Sequence, residues 1–169
     1  PILPEMSISP APSNLRFEKL RVRARLVLTG GVRYDGCFFV AGAAIHHHGP
    51  ERVSDLLGSA DGFVPFEAVH GSGAVIRVVN PLHIVAVALD NDEASRDPAY
   101  EVGRPQAVAI RLSTGELLSG VVRVGGPDGH SRLSDWTRQP DRFRYVETAD
   151  GLLLINTAQV VEVSEVPEP

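Results

Sequence analysis

The sequence predicts an all-β protein of two tandem five-stranded small barrels, each with one short helix, arising from an internal duplication. Three observations carry this. Arg52-Val53-Ser54-Asp55-Leu56 returns 80 residues later as Arg132-Leu133-Ser134-Asp135-Trp136, and Phe63 and Glu67 return as Phe143 and Glu147 at the same offset. Val78-Val79-Asn80 returns as Leu154-Ile155-Asn156 at an offset of 76, and Leu28, Gly31 and Gly36 return as Leu112, Gly115 and Gly120 at 84. The changes of offset fall in loops, where insertions are tolerated. Finally, short apolar alternations punctuated by Gly and Pro are the signature of strands, whose side chains change face at every residue.

Taken in order, 1–20 reads as an extended Pro-rich arm, 21–90 as the first barrel, 91–104 as a polar linker, 105–164 as the second barrel and 165–169 as a tail. In 21–28, Val22, Ala24, Leu26 and Leu28 share one face, which predicts a half-buried strand. Thr29-Gly30-Gly31 turns the chain, and a second strand over 34–44 bends at Gly36 and Gly42. A His-rich loop follows. Ser54 or Asp55 is expected to cap a short helix that stops near Gly58. Strands over 63–69, 74–79 and 84–89 complete the unit, with a turn at Gly71-Ser72-Gly73 and a corner at Asn80-Pro81. The second unit repeats the cycle: Val108, Ile110 and Leu112 alternate, Leu117 to Val124 returns, and a loop spans Gly125 to His130. Ser134 is expected to cap a helix ended by Pro140, and strands follow over 143–148, 152–155 and 160–163.

Composition narrows the function classes. The chain has 169 residues, 43% hydrophobic and 22% charged, which is globular, and each repeat alone is small enough to be marginal. A net charge of −5, with Lys19 the single lysine, argues against general nucleic-acid binding. Cys37 is the one cysteine, so no intrachain disulfide forms, and its apolar surroundings predict a small core residue. No segment approaches the ~18 apolar residues of a membrane span. The first residues lack the pattern of a secretion signal, so cytoplasmic residence is the expectation, with docking to a membrane complex left open.

Short strands, a bent second strand and the closing pattern Leu154-Ile155-Asn156 followed by Val160 and Val163 resemble the Sm-like (SH3-type) barrel. In that family the closing motif carries Arg-Gly where this chain has Asn80-Pro81 and Asn156-Thr157. The Arg-x-Ser-Asp, Phe, Glu, Asn pattern is also similar to small bacterial domains of unknown function. The resemblance implies small barrels and, as one reading, a nucleic-acid-binding regulator.

Candidate sites divide between function and fold. Arg52/Arg132, Ser54/Ser134, Asp55/Asp135, Glu67/Glu147 and Asn80/Asn156 recur, and helix starts and corners use such residues structurally. His46 and His48 would share a face of an extended loop and are weak metal candidates, with His47, His70 and His83 as further donors. Arg21, Arg23 and Arg25 form a basic stripe that could meet phosphates or pair with acids across the sheet. Trp136, matched by Leu56, is either a plug over a barrel end or an anchor for a partner. No nucleophile–base pair or cofactor motif is legible. The expected function is therefore a non-enzymatic protein-interaction subunit that stabilises a larger assembly, membrane-bound or not, contacting other chains through its arm and barrel surfaces; the alternative is an Sm-like nucleic-acid-binding regulator.

Overall fold

A computed structural model of the chain describes residues 18–90, 92–125 and 132–167. Most of the Pro-rich arm and of the Gly125–His130 loop therefore lies outside the described residues. The first unit comprises β1 (Lys19–Leu28), β2 (Arg33–Ala41), α1 (Val53–Ser59), β3 (Val64–His70), β4 (Gly73–Val79) and β5 (Ile84–Leu89). The connection holds a 3-10 turn (Glu93–Arg96) and α2 (Pro98–Glu101). The second unit comprises β6 (Arg104–Leu112), β7 (Leu117–Val124), α3 (Leu133–Arg138), β8 (Phe143–Thr148), β9 (Gly151–Asn156) and β10 (Val160–Glu165).

The duplication survives in the pairing. Leu28 faces Ile84 in the first unit, and Leu112 faces Val160 in the second. Val64 faces Val79, and Arg144 faces Ile155. Within each unit the fifth strand pairs with the first, giving the orders β5-β1-β2-β3-β4 and β10-β6-β7-β8-β9. The all-β expectation holds, but the two tandem barrels, expected to pack together, are not seen as closed units. All ten strands join in one antiparallel sheet, β10-β6-β7-β8-β9-β5-β1-β2-β3-β4, because β5 of the first unit also pairs with β9 of the second. The sheet remains open, with β4 and β10 at its two edges.

Side-chain alternation explains the burial. Ala24 and Leu26 of β1 are buried, with Val22 and Leu28 packed on the same core, while Arg21, Arg23 and Arg25 point to water. Phe38 and Phe66 meet edge to face with ring centroids 4.9 Å apart and anchor the first core. Rings this deeply buried each contribute about 2–3 kcal/mol. The second core gathers Val108, Ile110, Val122, Trp136 and Val146. Neither core is self-contained. Phe143, Tyr145 and Leu154 of the second unit belong to the first core, and Val85 and Ala86 of the first unit belong to the second. The halves thus supply one another with the apolar area that repeats of this size lack.

Gly36 and Gly120 show why the second strand of each unit needs a glycine. A Cβ at Gly36 would lie 2.0 Å from the Glu67 carbonyl oxygen, and one at Gly120 would lie 2.7 Å from that of Glu147. The next strand crosses too closely for any side chain. Other boundaries shift by a residue or two from expectation, and β2 ends at Ala41, before the chain reaches 44. Cys37 is half-buried and faces Arg23 and Glu67 across the strands, so it lies outside the core.

Candidate functional site between the two units

The two Arg-x-Ser-Asp stretches open the short helices, but not by the expected cap. Arg52 and Arg132 are the N-cap residues, and Ser54 and Ser134 lie inside the helices. The aspartates reach back instead: the Asp55 carboxylate accepts from the Arg52 backbone N–H at 2.9 Å, and that of Asp135 accepts from Arg132 at 3.0 Å. A carboxylate here also opposes the positive end of the helix dipole.

In the first unit this start is elaborated. The Arg52 guanidinium donates to both Asp55 oxygens at 2.9 and 3.0 Å and lies 3.1 Å from Asp97 of the connection. His47 Nε2 sits 2.7 Å from Asp55 Oδ2. Burial pushes the Asp55 carboxyl upward, but hydrogen bonds from Arg52 and His47 outweigh it and hold the group at about 2. The hydrogen bond to Asp55 raises His47 above 6.5. Stability from the His47 charge is therefore fully present below about pH 6.5 and fades as pH rises through the raised value. The Asp55 contribution is present above 3.8 and fades as pH falls through about 2. Water screens the pair, so it contributes under about 1 kcal/mol. His47→Asn is expected to melt below wild type at pH 5.5, with the difference shrinking as pH rises above 6.5 through the raised value. An unchanging difference across that range, measured by thermal melting, contradicts the pairing.

Beneath this start lies Glu93, fully buried. Its carboxylate accepts from the backbone N–H groups of Val53 at 2.8 Å and Ser54 at 3.2 Å, and from the Tyr145 hydroxyl at 2.9 Å. Ser54 Oγ lies 2.7 Å from the same hydroxyl. Connection, first helix and β8 of the second unit thus meet at one carboxylate. Burial and the neighbouring Glu93 charge push the Tyr145 hydroxyl strongly upward, so it stays protonated. The protonated phenol donates to Glu93, and this chain of hydrogen bonds fastens the first helix, the connection and β8 together.

In the second unit Arg144, also buried, ends α3. It donates to the carbonyls of Trp136 and Gln139, and to that of Asp141 at 2.9 Å, while its guanidinium lies 4.9 Å from the Trp136 ring centre. Arg144 thereby ties the last turn of α3 to the loop that follows it. A cleft of about 950 Å³ opens between the helices, lined among others by His46, Arg52, Asp61, Tyr100, Arg142 and Phe143.

The candidate residues scatter. Trp136 is 3% exposed and packs in the second core. Arg21 pairs with Glu67, and Arg25 pairs with Asp35 at 2.8 Å, which neutralises most of the basic stripe; Arg23 is exposed. His46 and His48 are exposed, His83 Nδ1 lies 3.2 Å from Thr29 Oγ1, and His70 ends β3. Among the described residues no three His, Cys, Asp or Glu side chains converge on a point that would hold a metal. Also among them, no helix is long and apolar enough to cross a membrane.

No family model, curated protein or solved structure matches this chain. The functional reading therefore rests on its own surfaces. Glu93, Asp97, Tyr145 and Arg144 are the residues that sequence reasoning missed. The duplication could not reveal them: the position matching Tyr145 is Pro65, and the one matching Arg144 is Val64.

Proposed function

We propose that this chain is a non-enzymatic protein-interaction subunit that stabilises a larger assembly. One observation carries the reading: among the described residues the edge strand β4 has no neighbour on its outer side, and the apolar Val75, Ile76 and Val78 are exposed along it, with Phe63 just before β3. An unpaired apolar edge offers backbone hydrogen bonds and burial to another strand, and left bare it invites aggregation. In this reading each half is an Sm/SH3-like unit, supported by the first strand lying between the second and the fifth in both. The paired arginines of β1 leave little free charge for phosphates, which favours a protein partner over nucleic acid.

Native mass spectrometry of the chain purified from its own cells tests this. A complex of defined stoichiometry that is lost in Val78→Lys, with melting unchanged, is the expected result. A lone, well-folded monomer with no companion in the extract overturns it.

A further inference from the structure

The chain contains a working example of what fits its open edges. At the internal junction β5 pairs with β9, joining the fifth strand of one unit to the fourth strand of the other. The outer edges are the complementary remainder: β4 is the fourth strand of the first unit and β10 the fifth strand of the second.

The side chains repeat the match. Phe143, Leu154 and Val85 are buried where the units meet, at 5%, 0% and 0% exposure. Their counterparts by the duplication offsets are Phe63, Val78 and Val161, and these are 67%, 68% and 65% exposed. Val85 and Val161 each occupy the same register shift, between the residues that pair with the first strand of their unit. The polar corner agrees. Asn156 is fully buried and donates its side-chain amide to the carbonyls of Pro81 at 3.3 Å and Ile84 at 2.9 Å, across the junction. Both asparagines turn their own backbone, accepting from Leu82 N–H and Ala158 N–H at 3.0 Å. Asn80 is only half-buried, at the mouth of the open edge.

We infer that the occupant of β4 is β10 of a second copy of this chain, paired as β9 is with β5. This rests on the interaction reading above and names the partner. The internal register, with Ala86 opposite Ile155 and Val87 opposite Leu154, carries over directly. It sets Glu162 opposite Val79, Val163 opposite Val78, Ser164 opposite Arg77 and Glu165 opposite Ile76. The contact joins two different surfaces, so each added copy leaves one β4 edge and one β10 edge free. Growth then ends in a closed ring or runs on as a filament.

Complementary blocking tests this with purified protein. Val78→Lys places a charge on the β4 edge and Val161→Lys on the β10 edge, both at exposed positions that leave the cores untouched. Wild type is expected to sediment above the 18.2 kDa monomer, and each variant to associate at least about tenfold more weakly. An equimolar mixture of the two retains one intact β4 and one intact β10, so it is expected to form a dimer and nothing larger. Asn80→Asp keeps the oxygen that accepts from Leu82 N–H and removes the donating amide, so it is expected to weaken wild-type assembly while leaving the corner of the monomer in place. If either variant alone self-associates as wild type does, the pairing of unlike edges is wrong. If wild type is monomeric alone, yet the complex from its own cells is lost in Val78→Lys, self-assembly falls while the interaction reading stands. If both are absent, both fall.

Discussion

Glu93→Ala is expected to cost about 3 kcal/mol or more of unfolding free energy, a large share of the stability of a domain this size. The carboxylate is fully buried and accepts from two backbone N–H groups at the start of α1 and from the Tyr145 hydroxyl. Alanine leaves these donors in a dry interior without an acceptor, at about 1–3 kcal/mol each, partly relieved by water entering. Glu93→Gln retains one accepting oxygen and is expected to recover part of the loss. Because Glu93 ties the connection to both units, unfolding followed by the single Trp136 and by backbone circular dichroism should remain coincident in wild type and separate in Glu93→Ala. A loss below about 1 kcal/mol in urea titration would mean that the carboxylate does not hold the halves together.

Leu154→Ala is the second large effect, expected at about 3 kcal/mol. Leu154 is fully buried and sits in the core of the unit to which it does not belong in sequence. Removing it opens a void where neither half can collapse freely. Its counterpart Val78 is 68% exposed, so Val78→Ala in dilute, unassembled protein is expected to stay within about 0.5 kcal/mol of wild type. Equal losses at the two positions, by chemical unfolding, would contradict the asymmetry between the inner junction and the outer edge.

The repeats were legible because each half needs the same local devices. Gly36 and Gly120 admit the crossing strand, Asp55 and Asp135 accept from the N-cap backbone, and Asn80 and Asn156 turn the corner. Alternation in β1 and β6 showed which faces are buried. What joins the halves was not legible, for a physical reason: a junction uses one surface from each copy, so its residues need not repeat. Tyr145 and Arg144 have Pro65 and Val64 at the matching positions. Glu93 lies in a run of polar residues that reads as solvated linker, and only its three-dimensional place under α1 makes it a buried acceptor. The single shared sheet was not legible for the same reason, since the pattern that marks β5 as a closing strand does not reveal that its far side pairs with β9.

The central claim is that the outer edges of the sheet are a second version of its inner junction, and amide hydrogen exchange at two protein concentrations tests it most directly. Amides of β4 and β10 are expected to gain protection as concentration rises, while those of β5 and β9 stay equally protected throughout. Exchange in β4 and β10 that is independent of concentration, in a species that remains at 18.2 kDa, would contradict the claim.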